Sequence, residues 1–75
     1  MKTCVRIIFN SEGCSPNELA NLMREVGFST SFGEYDFVYD WGKKEVSVEN
    51  VINFLERIHK KLKGKNVLYE VTTVL

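Results

Sequence analysis

Hydrophobic positions along the chain switch between two periods. From residue 3 to residue 9 they alternate: Val5, Ile7 and Phe9 share one face, and Cys4, Arg6 and Ile8 share the other. The run is β-branched and aromatic, so it reads as a strand, broken by Asn10-Ser11-Glu12-Gly13. Leu19, Leu22, Met23 and Val26 then recur at helical spacing. Ser15-Pro16-Asn17-Glu18 marks the start of that helix, with Ser15 as cap, Pro16 at the first helical position and Glu18 completing a capping box. Gly27 is placed to end it.

The alternation returns in residues 28–41, which hold six of the nine aromatic side chains. Phe28, Thr30 and Phe32 predict one short strand, Gly33-Glu34 a turn, and Phe37, Tyr39 and Trp41 a second strand. Gly42-Lys43-Lys44-Glu45 reads as a polar loop. Ser47 caps a second helix whose stripe is Val48, Val51, Ile52, Leu55, Ile58 and Leu62, widened by Phe54. Lys60, Lys61 and Lys63 crowd its last turn, and Gly64 stops it. Val67, Tyr69, Val71, Thr73 and Leu75 share one face of a last strand over residues 67–75.

The order β-α-β-β-α-β predicts an α+β fold, the ferredoxin-like sandwich: a four-stranded antiparallel sheet with both helices on one face. Within it, the first and third strands are expected side by side in the middle and parallel, with the helices parallel as well. No helix covers the other sheet face, which makes it the place for a partner or ligand.

Length and composition narrow the class. With 75 residues the chain makes one domain, residues 1–75. A chain of this size buries only roughly 60% of its unfolded surface, so a partner would add stability. No signal-like core or membrane-length apolar run is present, and the expected setting is the cytoplasm. Cys4 and Cys14 are too few for a disulfide scaffold and, with His59, too few for a closed zinc site. No catalytic residue, metal ligand or cofactor is assigned.

Segment Gly33-Glu34-Tyr35-Asp36-Phe37-Val38 carries a Gly-x-Tyr-Asp step into the third strand. It resembles the C-terminal effector domain (RAM/ACT-like) of the Lrp/AsnC regulators, and Val71-Thr72-Thr73-Val74-Leu75 is similar to that domain's last strand. These 75 residues hold no helix-turn-helix, so the expectation is a likeness to a stand-alone version. The resemblance implies this same fold, assembly sheet to sheet as a homodimer or larger oligomer, and a small-molecule effector, such as an amino acid, at subunit interfaces. It makes Gly33, Tyr35 and Asp36 ligand or interface candidates. The residues themselves offer a plainer role for two of them. Gly33 accepts the positive φ of a tight turn, and Asp36 can be a turn acceptor.

The expected function is a non-enzymatic small-molecule-sensing or protein-interaction module that oligomerises through its sheet face. The alternative is an RNA- or single-strand-binding domain of the RRM kind, since Tyr35, Phe37 and Val38 match the aromatic spacing of its third strand. Against it, Gly33 stands at the basic position, and Glu34, Asp36 and Asp40 would repel phosphate.

Three further features carry a sharper and a plainer reading. Residues 12–40 hold six carboxylates against Arg24 alone, and residues 57–65 hold five cationic side chains and no carboxylate. That segregation serves an anionic partner, pairing between subunits, or simple solvation of a helix end. His59 falls on the apolar stripe as a pocket base or pH switch, or as a part-buried His bonded to backbone. Cys14 sits at a helix N-terminus, where a thiolate is stabilised. With parallel helices, however, His59 would lie roughly 16 Å along the axis from that end, too far for a dyad.

Overall fold

The computed structural model describes residues 1–43 and 45–75; Lys44, in the loop read as polar, lies outside them. The elements are β1 (Lys2–Ile8), α1 (Pro16–Val26), β2 (Ser29–Thr30), β3 (Phe37–Asp40), α2 (Val48–Leu62) and β4 (Leu68–Val74). They form a ferredoxin-like βαββαβ arrangement with sheet order β2-β3-β1-β4. β1 pairs with β3 from Lys2 opposite Asp40 to Val5 opposite Phe37, and with β4 from Lys2 opposite Val74 to Ile8 opposite Leu68.

Every neighbouring pair is antiparallel. This corrects the expectation of a parallel central pair. A helical crossover returns the chain in its original direction, and the β2–β3 hairpin then reverses it, so β3 opposes β1. The same reversal makes the helices antiparallel. Glu18 near the start of α1 meets Lys65 just beyond α2 at 3.3 Å, while Glu25 near the end of α1 meets Lys61 at 3.2 Å.

Both helices begin at the serines read as caps, but the capping box is only half formed, because the Glu18 carboxylate accepts from Lys65 and not from the Ser15 N–H. The Ser15 and Ser47 hydroxyls accept from the N–H of Glu18 and Asn50, and Pro16 opens α1. Gly27 ends α1 in the left-handed region at φ 111°, and its N–H bonds the carbonyls of Met23 and Arg24. A Cβ there would also press on the Tyr39 ring at 3.0 Å.

The core lies between the helices and one face of the sheet. Leu19, Met23 and Val26 of α1, Phe54, Ile58 and Leu62 of α2, and Val5, Ile7, Phe28 and Phe37 from the sheet side are buried together. Phe54 is its aromatic hub, with ring centroids 4.5 Å from Tyr39, 5.1 Å from Trp41 and 5.5 Å from Phe28. One polar group enters this layer. The buried Thr3 hydroxyl accepts from Trp41 Nε1 at 2.8 Å and bonds the Thr73 hydroxyl at 2.9 Å, so its desolvation is compensated.

Two predicted apolar assignments change. β2 stops at Thr30, because the Ser31 N–H turns to the Asp36 carbonyl at 2.8 Å, and Phe32 is left fully exposed in the loop. Val48 and Ile52 are 79% and 52% exposed. The core-facing centre of α2 is set by Phe54, Ile58 and Leu62, which leaves Val48 and Ile52 on its flank.

Candidate site on the open sheet face

Alternation along the strands sends Lys2, Cys4, Arg6 and Ile8 of β1, Val38 and Asp40 of β3, and Leu68, Glu70, Thr72 and Val74 of β4 to the side without helices. Arg6 and Glu70 make its middle polar, Ile8 and Leu68 make one end apolar, and at the other end Val74 lies beside Lys2 and Asp40. Ile8, Leu68 and Val74 are all about half exposed or more. Cys4 is nonetheless buried, because it is small and lies between Val38 and Thr72 on the neighbouring strands.

Arg6 organises the centre. Its Nε–H donates to the Glu34 carbonyl at 2.9 Å, one terminal nitrogen meets a Glu34 carboxylate oxygen at 3.1 Å, and the other meets Glu70 at 3.4 Å. The guanidinium also lies over the Tyr35 ring, 5.4 Å from its centroid. Both carboxylates are well exposed, at 74% and 61%, so each ion pair is weak. An arginine carries five N–H donors. The three contacts here leave capacity for another acceptor among the described residues.

The three candidates from the Gly-x-Tyr-Asp step sit around this arginine in different ways. Gly33 takes φ +107°, the positive value expected of it, with open space where a side chain would go. Tyr35 is half-buried beneath Arg6. Asp36 is a ladder rung rather than a turn acceptor. Its carboxylate accepts from the Ile7 N–H at 2.7 Å, its own N–H donates to the Val5 carbonyl at 2.9 Å, and its carbonyl closes the loop onto Ser31. The carboxylate continues the β3–β1 pairing where the backbone has peeled away.

Sequence reading missed Arg6. The signal was present: a cation in the middle of the apolar run Cys4–Ile8, on the face left open. What could not be read was that the loop 31–36 folds over that cation.

His59 and Cys14 occupy the same end of the molecule, because the helices are antiparallel. The separation expected from parallel helices is therefore wrong. Even so, the His59 ring bonds the Tyr69 hydroxyl at 3.3 Å, in a groove of about 430 Å³ shared with Leu62, Lys63, Asn66 and Val67. It is exposed, and its side-chain partner is that hydroxyl rather than backbone. Cys14 is half-buried against the core, and its N–H donates to the Lys65 carbonyl at 3.0 Å. Among the described residues no group of three His, Cys, Asp or Glu side chains is placed to hold a metal ion. No helix among them is long and apolar enough to cross a membrane.

The segregated charges have an internal use that the sequence reading did not weigh. Lys61 and Lys65 pair with Glu25 and Glu18 across the two helices of one chain. Phe37 is buried and Tyr39 and Trp41 pack on the core, while β3 presents Val38 and Asp40 outward. That strand offers nucleic-acid bases no aromatic surface for stacking.

Comparison with family models, curated proteins and solved structures finds no match for the chain.

Proposed function

We propose that the chain is a non-enzymatic sensing or interaction module whose open sheet face assembles with other copies and takes a small zwitterion such as an amino acid. The observation that carries this reading is Arg6 held between Glu34 and Glu70 on that face. A guanidinium flanked by carboxylates complements a zwitterion: the ligand carboxylate takes the bidentate fork, and its ammonium takes the displaced glutamate. Because both resident pairs are exposed and weak, exchanging them costs little. The apolar end of the face, Ile8 and Leu68, supplies surface for a neighbouring subunit. The resemblance to the Lrp/AsnC effector domain points the same way.

The test is a titration with a panel of free L-amino acids, with acetate and ethylammonium as half-ligands, followed by thermal shift and by the Arg6 Nε–H resonance. A zwitterion should raise Tm and move that resonance, the half-ligands should do neither at equal concentration, and Arg6→Met, which lacks that N–H, should lose the Tm shift. An equal Tm shift in Arg6→Met, or no response across the panel, would refute the reading.

A further inference from the structure

The sheet has two ends. β2 closes one with two residues. β4 closes the other with seven, and it has a strand neighbour on one side only. Half of its backbone N–H and C=O groups therefore point away from the sheet with no strand to receive them. Edges of that length are usually blunted by proline, lysine, a bulge or a covering segment. Leu68-Tyr69-Glu70-Val71-Thr72-Thr73-Val74 has neither proline nor lysine, pairs with β1 without a bulge, and carries one charge, Glu70, already met by Arg6.

A second feature lies beside that edge. On the wheel of α2, Val48, Ile52 and His59 fall within about 40° of one another. His59 bonds Tyr69 of β4, so this flank leans toward the β4 edge. The two aliphatic side chains on it, Val48 and Ile52, are among the most exposed apolar groups of the helix.

We infer that a second copy of this chain occupies the edge, its β4 running antiparallel to the first about a two-fold axis at Val71. The strand is its own complement in that register. Leu68 faces Val74 of the second copy, Tyr69 faces Thr73, and Glu70 faces Thr72, so apolar meets apolar and no like charges lie opposite. Centring the axis on Glu70 instead sets the two carboxylates against each other and pairs fewer residues. Registers shifted by one residue place one copy's helices on the other's open face. The Val71 register makes one eight-stranded sheet, with Val48 and Ile52 of both copies covering the seam. It uses the edge and the helix flank, so it stands apart from assembly through the open face.

Light scattering behind a sizing column, across a concentration series of the full chain, tests this together with amide exchange. The expected result is an edge-paired dimer, or a tetramer where open faces pair as well, whose β4 amides gain protection as concentration rises. The double variant Val48→Glu/Ile52→Glu, altered only at exposed positions, should keep its fold by circular dichroism and weaken the dimer more than ~10-fold. Val38→Lys, on the open face alone, should leave this dimer intact. If Val38→Lys dissociates it and the helix variant does not, the edge assignment is wrong and the face assignment stands. A monomer at every concentration overturns the second copy as occupant. So does a chain whose β4 is protected only when a foreign extended peptide is added.

Discussion

The two flanks of this domain bury their helix-facing side chains to different degrees. On the β2–β3 side, Phe28, Tyr39, Trp41 and Phe54 form one aromatic cluster, and the sheet ends in a strand of two residues. On the β4 side, every inward residue from Tyr69 to Thr73 is only half-buried, and the nearby α2 flank shows Val48 and Ile52 to solvent. α2 itself spans the contrast, with Phe54 sealed on one side and Ile52 uncovered on the other. Tyr39 and Trp41 are half-buried like Tyr69 and Val71, but they are tied ring to ring around the buried Phe28 and Phe54, whereas the β4 side has no buried side chain of its own. In a chain with so little core, an unfinished flank is where a partner contributes most.

The sharpest way to break that comparison is truncation on the two sides of α2. Phe54→Ala should cost about 3–5 kcal/mol in urea unfolding, since it removes the hub of the cluster. Ile52→Ala should stay within about 0.5 kcal/mol when measured on the monomer. Equal losses would mean that the flanks are not different in kind.

Thr3→Val comes next. It leaves Trp41 Nε1 and the Thr73 hydroxyl without their shared partner, and about 1–3 kcal/mol of stability should go with it. The indole N–H resonance of Trp41 would report the loss directly. Asp36→Ala should cost about 1–2 kcal/mol and speed exchange of the Ile7 amide, which its carboxylate receives at 2.7 Å. An unchanged Ile7 exchange rate would show that the rung is not needed. The smallest effect on stability is expected for Arg6→Met, under about 1 kcal/mol because both of its ion pairs are exposed. Its consequence should appear in zwitterion binding instead, which separates a recognition role from a structural one.

Part of the candidate site was reached from the sequence, through the resemblance carried by the Gly-x-Tyr-Asp step rather than through the hydrophobic pattern. Gly33 and Tyr35 were singled out before any geometry, and Gly33 takes the positive φ expected of it. Asp36 was also singled out, yet its partner is a backbone N–H 29 residues away, so no local rule could find the bond. Arg6 stayed hidden for the same reason: both of its carboxylates come from other elements. Val48 and Ile52 belonged to the right helical stripe, but periodicity reports which side chains align and not how far the sheet extends beneath them.

What the sequence by itself determined is the set of elements and their order. Helix caps, the proline at the start of α1, the period switches and the glycine stop after α1 are short-range matters of backbone geometry and amphipathic spacing, and each acts within a few residues. What only the tertiary structure decided is direction and completeness. The reversal at the β2–β3 hairpin made the central strands and the helices antiparallel, which brought Lys61 of α2 and Lys65 just beyond it onto Glu25 and Glu18 of α1. The width of the sheet under α2 decided which apolar residues were covered. Those outcomes rest on contacts between distant segments, whose stabilisation is summed over the whole chain and is written in no single stretch of it.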